Sequence, residues 1–209
     1  MKREITCHCE QKLVVEIDDQ YDISDGSESM NAIRNGTFLN VTCDRCGDVL
    51  RPEFAVNFAR SDGRNVAFLP ESERNHFMVG SVDIPNDSAV IIGTPELRET
   101  IALHDAALER EPIELVKYQI LVRAGSGVGP PTDIRIYFIQ IEDAELIFHI
   151  HGLRDEEIAV MRLPESNYIR AKDELPRQRR SEPYKTILDP PYVSIHKVEL
   201  EYDRDAANG

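Results

Sequence analysis

No stretch of the 209-residue chain is long and apolar enough to span a bilayer. Nor does an apolar run of signal-peptide length follow the basic Lys2 and Arg3. The expectation is a cytoplasmic protein, in a compartment where free thiols and thiolate metal sites persist and structural disulfides are rare. Cations are also scarce: 24 Lys and Arg stand against 38 Asp and Glu, for a formal net charge of −14. Nucleic-acid affinity comes mostly from clustered Lys and Arg releasing counterions, so this balance argues against such a partner. The local exception is Arg177, Arg179 and Arg180 in "LPRQRRSEPYK", which reads as a solvated, protease-sensitive loop between prolines rather than a phosphate-binding patch. Catalytic signatures are missing as well: there is no nucleophile elbow, zincin helix or dinucleotide fingerprint. The glycines of "RAGSGVGPPTD" lack a following Lys-Ser or Lys-Thr and run into two prolines, so residues 126–131 read as a linker and not as a phosphate loop.

Cysteine is sparse too, at four residues, but its placement is not random. Cys7 and Cys9 stand in "TCHCEQ" and Cys43 and Cys46 in "TCDRCGD"; none follows in the rest of the chain. Cysteines used only as small packing residues would be scattered, whereas two close pairs are the arrangement of a four-thiolate zinc site. Cys-x-x-Cys-Gly makes a tight turn that aims both sulfurs at one centre, with Gly47 supplying the positive backbone angle needed to leave it. Strand-like "GTFLNV" and "VLRPEFAVNF" flank this pair; "REIT" and "KLVVEIDD" flank the other. Two strand-turn-strand units facing one ion would form a zinc ribbon, with Cys7, Cys9, Cys43 and Cys46 as ligands of Zn2+. The alternatives are free thiols in a ribbon without metal, and redox work. A thioredoxin-type dithiol needs a helix leaving its first cysteine, and a disulfide inside Cys-x-Cys would be badly strained. Between the pairs, Asp25 or Ser27 is placed to cap a short helix through "SESMNAIRN" that stops at Gly36.

Taken with "NGTFLNVTCDRCG" and the later "AVIIGTPELRETIALHDAALEREPIELVKYQIL", the cysteine-paired hairpins resemble the bacterial and archaeal CpXC-domain proteins. That functionally uncharacterised family is named for two Cys-Pro-x-Cys motifs, and the resemblance covers roughly residues 3 to 125. Two departures are visible: Asp44 stands where proline is usual, and "CHC" reads as the motif with its proline deleted. The resemblance implies a CpXC-like domain over 1–125, with the ribbon at 1–58 and a helical hairpin at about 94–123.

In that hairpin, Thr94 is a candidate N-cap followed by Pro95, with Leu97, Ile101, His104 and Leu108 at helical spacing. Pro112 then opens a second helix bearing Ile113, Val116 and Ile120 on one face. Before them, "NVAFLP" and "HFMVGSVDI" read as strands, with His76 at the surface. After the linker, 132–209 reads as a β-rich region: "DIRIYFIQIED", "AELIFHIHG", "EIAVMRLP" and "YVSIHKVELEYD". His149 and His151 are two apart on a strand and share a face, but no third ligand motif completes a metal site with them. The expected fold class is α+β. The expected function is that of a non-catalytic module that binds another protein, with structural zinc. A thiol-based redox or zinc sensor and a nucleic-acid-binding ribbon are the alternatives.

Overall fold

A computed structural model describes residues 1–60, 63–125, 134–154 and 156–198. The linker expected at 126–131 lies outside the described residues, as does the part of "YVSIHKVELEYD" from 199 onward. The chain is α+β and forms two compact units, Met1–Ile101 and Ala102–Gly209.

The first unit begins with the antiparallel hairpin β1 (Lys2–Thr6) and β2 (Lys12–Glu16), in register from Lys2 opposite Glu16 to Thr6 opposite Lys12. Exposed ion pairs Lys2–Glu16 and Lys12–Glu4 decorate it, a kind of contact that adds little stability. After β3 (Gln20–Asp22) comes α1 (Glu28–Arg34), which buries Met30 and Ile33 at helical spacing. Ser27, not Asp25, is its cap, accepting the Met30 N–H at 3.2 Å, and the chain leaves through Gly36 at φ +69°.

A second hairpin, β4 (Val41–Thr42) and β5 (Val49–Leu50), is shorter than "GTFLNV" suggested. Residues just before β4 turn instead: the Asn40 N–H bonds the Thr37 carbonyl, and Leu39 sits at φ +55°. The main sheet joins β6 (Val56–Ala59), β7 (Asn65–Leu69) and β8 (Ser88–Ile92) to β3 in the order β3-β6-β7-β8. Its central strand β7 is buried along Val66, Ala67, Phe68 and Leu69, as a strand covered on both faces requires. Helix α1 and the start of α3 (Thr94–Asp105) supply Met30, Ile33, Leu97 and Ile101 to a core around Phe58, Phe68 and Ile91.

"HFMVGSVDI" is not a strand. A 3-10 turn at Glu71–Glu73 feeds the short helix α2 (Arg74–Met78). The reason lies in Arg74, which is buried and paired with Glu71 and Glu96, while Glu96 also accepts the Ile92 N–H. That network needs the chain to turn back after β7. Glu53 completes it by accepting the N–H groups of Glu71 and Thr94. Thr94 is therefore the first residue of α3 rather than its cap. Gly93 sits at φ +81°, where an L side chain is strained, and an added Cβ would lie 2.6 Å from a Glu71 carboxylate oxygen and displace that side chain.

In the second unit, α4 (Arg110–Gly125) starts two residues before Pro112 and buries Ile113, Leu115, Val116, Ile120 and Leu121. His104 is exposed, and Leu103 takes the buried side of α3 there. Although α3 and α4 are consecutive, Leu97 and Ile101 serve the first core and α4 the second. The meander β9 (Arg135–Glu142), β10 (Glu145–His151) and β11 (Ala159–Pro164) runs antiparallel in the order β11-β10-β9. Asp143 and Ala144, both at positive φ, make the tight turn between β9 and β10.

Sequence reading missed α5 (Ser166–Gln178). The segment expected to be a solvated loop is the end of this helix: Arg177 lies in it, and Arg179 caps it and pairs with Glu111 of α4. A short α6 (Tyr184–Ile187) and a 3-10 turn at Ile195–Lys197 follow, the latter where a strand was expected. Among the described residues, no helix is long and apolar enough to cross a membrane.

Candidate metal centre

Each cysteine pair sits at the tip of a hairpin, Cys7 and Cys9 between β1 and β2, Cys43 and Cys46 between β4 and β5. The structure brings all four sulfurs within 4.8 Å of one another. The nearest approaches cross between hairpins: Cys7 to Cys46 at 3.5 Å and Cys9 to Cys43 at 3.7 Å. A tetrahedral ion with sulfur at about 2.3 Å has sulfur-sulfur edges of about 3.8 Å, so the donor set fits such an ion in both number and spacing. All four are free thiols, with Cys7 and Cys43 buried, Cys9 half-buried and Cys46 exposed.

Backbone amides complete the turns. In the second turn the N–H groups of Cys46 and Arg45 point at the Cys43 sulfur, and that of Asp48 at the Cys46 sulfur. The Cys43 carbonyl accepts the Gly47 N–H, and Gly47 leaves at φ +80°. The first turn repeats the pattern with one residue fewer. The Cys9 amide points at the Cys7 sulfur, the Cys7 carbonyl accepts the Glu10 N–H, and the residue at positive φ is Glu10, at +68°. Arg45 then ties one tip to the other by donating to the Cys9 carbonyl at 3.0 Å.

These contacts set the thiol acidities. Chiefly through the Cys46 amide, and against its own burial, Cys43 is held down at about 7. At Cys46 the Asp48 amide favours the thiolate, but neighbouring Cys7, burial, Cys9 and Cys43 together push it up to about 12. At Cys7 the Cys9 amide likewise favours the thiolate, yet burial and the neighbouring thiols leave it raised. Four sulfurs this close cannot all carry charge without a cation among them. A metal ion would relieve that repulsion and displace the remaining protons.

Among the described residues, the four cysteines are the group of His, Cys, Asp and Glu side chains close enough together to hold a metal. His149 and His151 do not join such a group. Both are half-buried on β10, and the His151 ring packs edge-on against Tyr137 at 5.7 Å. His76 is exposed and contacts Glu73 at 3.1 Å. Beyond the reach of sequence reading were the buried charges of each unit. Arg74 and Glu96 lie in the first; in the second, Lys117 and Glu114 pair at 2.8 Å with Glu114 also accepting the Ile195 N–H. No spacing rule marks such residues.

Comparison with known proteins agrees with this arrangement. Residues 5–117 match the family described as CpXC protein, and the chain belongs to that family. It is also 25% identical to an uncharacterised protein of Treponema pallidum (strain Nichols), over 93% of this chain and 97% of that one. No solved structure matches.

Proposed function

We propose that Cys7, Cys9, Cys43 and Cys46 hold one zinc ion, that the two hairpins form a zinc ribbon around it, and that the ion is structural. The observation carrying this reading is the convergence of four sulfurs from two hairpin tips. Four thiolates fill a tetrahedral sphere and leave no position for water or substrate, which favours a structural over a catalytic ion. Metal binding and ordering of the two cysteine hairpins are then one event, with the ion contributing on the order of 10 kcal/mol as in zinc-finger peptides. Metal analysis of the purified protein tests this. One zinc per chain is expected, lost together with hairpin order in Cys43→Ser; iron instead of zinc, or no metal and an unchanged Cys43→Ser variant, would refute it.

For its role, the reading is a non-catalytic cytoplasmic module that docks another protein through the ribbon. The reading rests on the lack of catalytic signatures and on the acidic charge; Val14 and Val49, exposed on the two hairpins, are the apolar side chains such a contact would use. A nucleic-acid role is disfavoured by charge. Of the cations a basic face would use, Lys12, Arg45 and Arg51, Lys12 is paired with Glu4 and Arg45 with the Cys9 carbonyl, while Arg51 is exposed. A pull-down from the native extract, repeated with Val14→Lys/Val49→Lys, checks the docking surface: a partner recovered equally by both proteins would remove it. The second reading, a thiol-based redox or zinc sensor, is favoured by the shortened first turn. It is tested by following zinc release against peroxide, and retention at high oxidant would end it.

A further inference from the structure

We propose that oxidation of the metal-free protein links the two hairpins through Cys7–Cys46 and Cys9–Cys43 disulfides. Four cysteines allow three connectivities. The one confined within each motif requires a Cys7–Cys9 bond, which the single intervening residue strains badly. With it excluded, a state with two disulfides has both bonds crossing between hairpins. Of the two crossed patterns, the short contacts at 3.5 Å and 3.7 Å belong to Cys7–Cys46 and Cys9–Cys43.

Each pair joins a more accessible sulfur to a buried one: exposed Cys46 to buried Cys7, and half-buried Cys9 to buried Cys43. Hydrogen peroxide, or another two-electron peroxide, oxidises one sulfur of a pair. There a sulfur-oxygen bond forms as the peroxide O–O bond breaks, leaving a sulfenic acid and one water. The partner sulfur then attacks the oxidised one, the S–S bond replaces the S–O bond, and the oxygen departs as a second water with the partner's proton. A second peroxide repeats this at the other pair. A chain with Cys-x-x-Cys in both turns could close each turn on itself. Here, the missing residue makes the oxidised state a staple between hairpins. The consequence for metal, release of the ion on oxidation, rests on the zinc reading above.

Peptide mapping of the full chain settles the pairing. Trypsin places Cys7 and Cys9 together in 4–12, Cys43 in 35–45 and Cys46 in 46–60. Chelator-stripped protein treated with peroxide should yield all three peptides joined as one product. Two Cys pairs then discriminate between the crossed patterns: Cys9→Ser/Cys43→Ser should close its remaining pair at least about tenfold faster than Cys7→Ser/Cys43→Ser. Peptide 35–45 joined to 46–60 with 4–12 either closed on itself or still reduced, or sulfinic acid without cross-links, would overturn the proposal, and the wild-type map does not depend on any variant folding. Zinc measured on the same sample before stripping separates the two ideas. Zinc-free protein that still gives the three-peptide product refutes the zinc reading alone. Zinc-loaded protein that gives the within-motif product refutes the pairing alone.

Discussion

Glu10 and Gly47 occupy the same place in the two cysteine turns, immediately after the second cysteine, at φ +68° and +80°. An L-residue in that region costs about 1–2 kcal/mol, which glycine escapes. Glu10→Gly should recover this, less about 0.5–1 kcal/mol for the extra freedom of glycine in the unfolded chain, a net gain of up to about 1 kcal/mol. Gly47→Ala should lose about 1 kcal/mol; an added Cβ there meets nothing within 4 Å, so the cost is backbone conformation alone. On the proposed site, where the turns close around the ion, the same energies appear in zinc affinity. Glu10→Gly should bind up to about fivefold tighter and Gly47→Ala about fivefold weaker, measured by competition with a chromophoric chelator at fixed pH. Urea unfolding of the metal-loaded proteins gives the independent reading. Two substitutions at matched positions with effects of opposite sign leave little room for other causes; weaker binding by Glu10→Gly, or a neutral Gly47→Ala, would refute the reasoning.

Two further predictions concern the second unit. Lys117→Met should cost about 1–3 kcal/mol: the Glu114 carboxylate loses its buried partner but keeps Arg110 at 3.5 Å and the Ile195 N–H. Lys117→Met/Glu114→Gln should recover much of that, because glutamine is neutral and can still accept the Ile195 N–H; chemical denaturation reads both, and a single variant within 0.5 kcal/mol of wild type contradicts the pairing. His151 is held below the usual histidine range by burial first and by nearby His149 second. The folded state therefore disfavours its protonation, so its contribution to stability is present above the ordinary histidine range and is lost as pH falls through the lowered value. NMR titration of His149→Gln should move His151 upward but short of the usual range; no movement would show that the two rings do not interact.

The candidate site was the most legible part of the chain because its signal is chemical rather than periodic. Two close cysteine pairs have few structural uses, and Gly47 marked the turn. Helix α4 was plain from the spacing of Ile113, Val116 and Ile120, and α3 from Leu97 and Ile101, although His104 is exposed and Leu108 lies past the end of α3. Helix α5 was hidden because it buries only Tyr168 and Ala171, is polar or charged at most other positions and holds Pro176 in its last turn. Helix α2 was read as strand from "HFMV", since the buried Arg74 network that dictates its course is made with residues distant in sequence, Glu96 above all. The two-residue strands β4 and β5 are too short for alternation to show. Glu10 could not be identified as the counterpart of Gly47 until the backbone placed both at positive φ, because nothing in a glutamate announces that conformation.

The central claim, one ion held by four sulfurs, is tested most directly by native mass spectrometry of the protein purified without added metal. The account predicts a single species heavier by one zinc ion, with the four thiol protons displaced and all four cysteines resistant to alkylation until a chelator is added. A metal-free mass with Cys7 and Cys9 alkylated as readily as in the unfolded chain would contradict it.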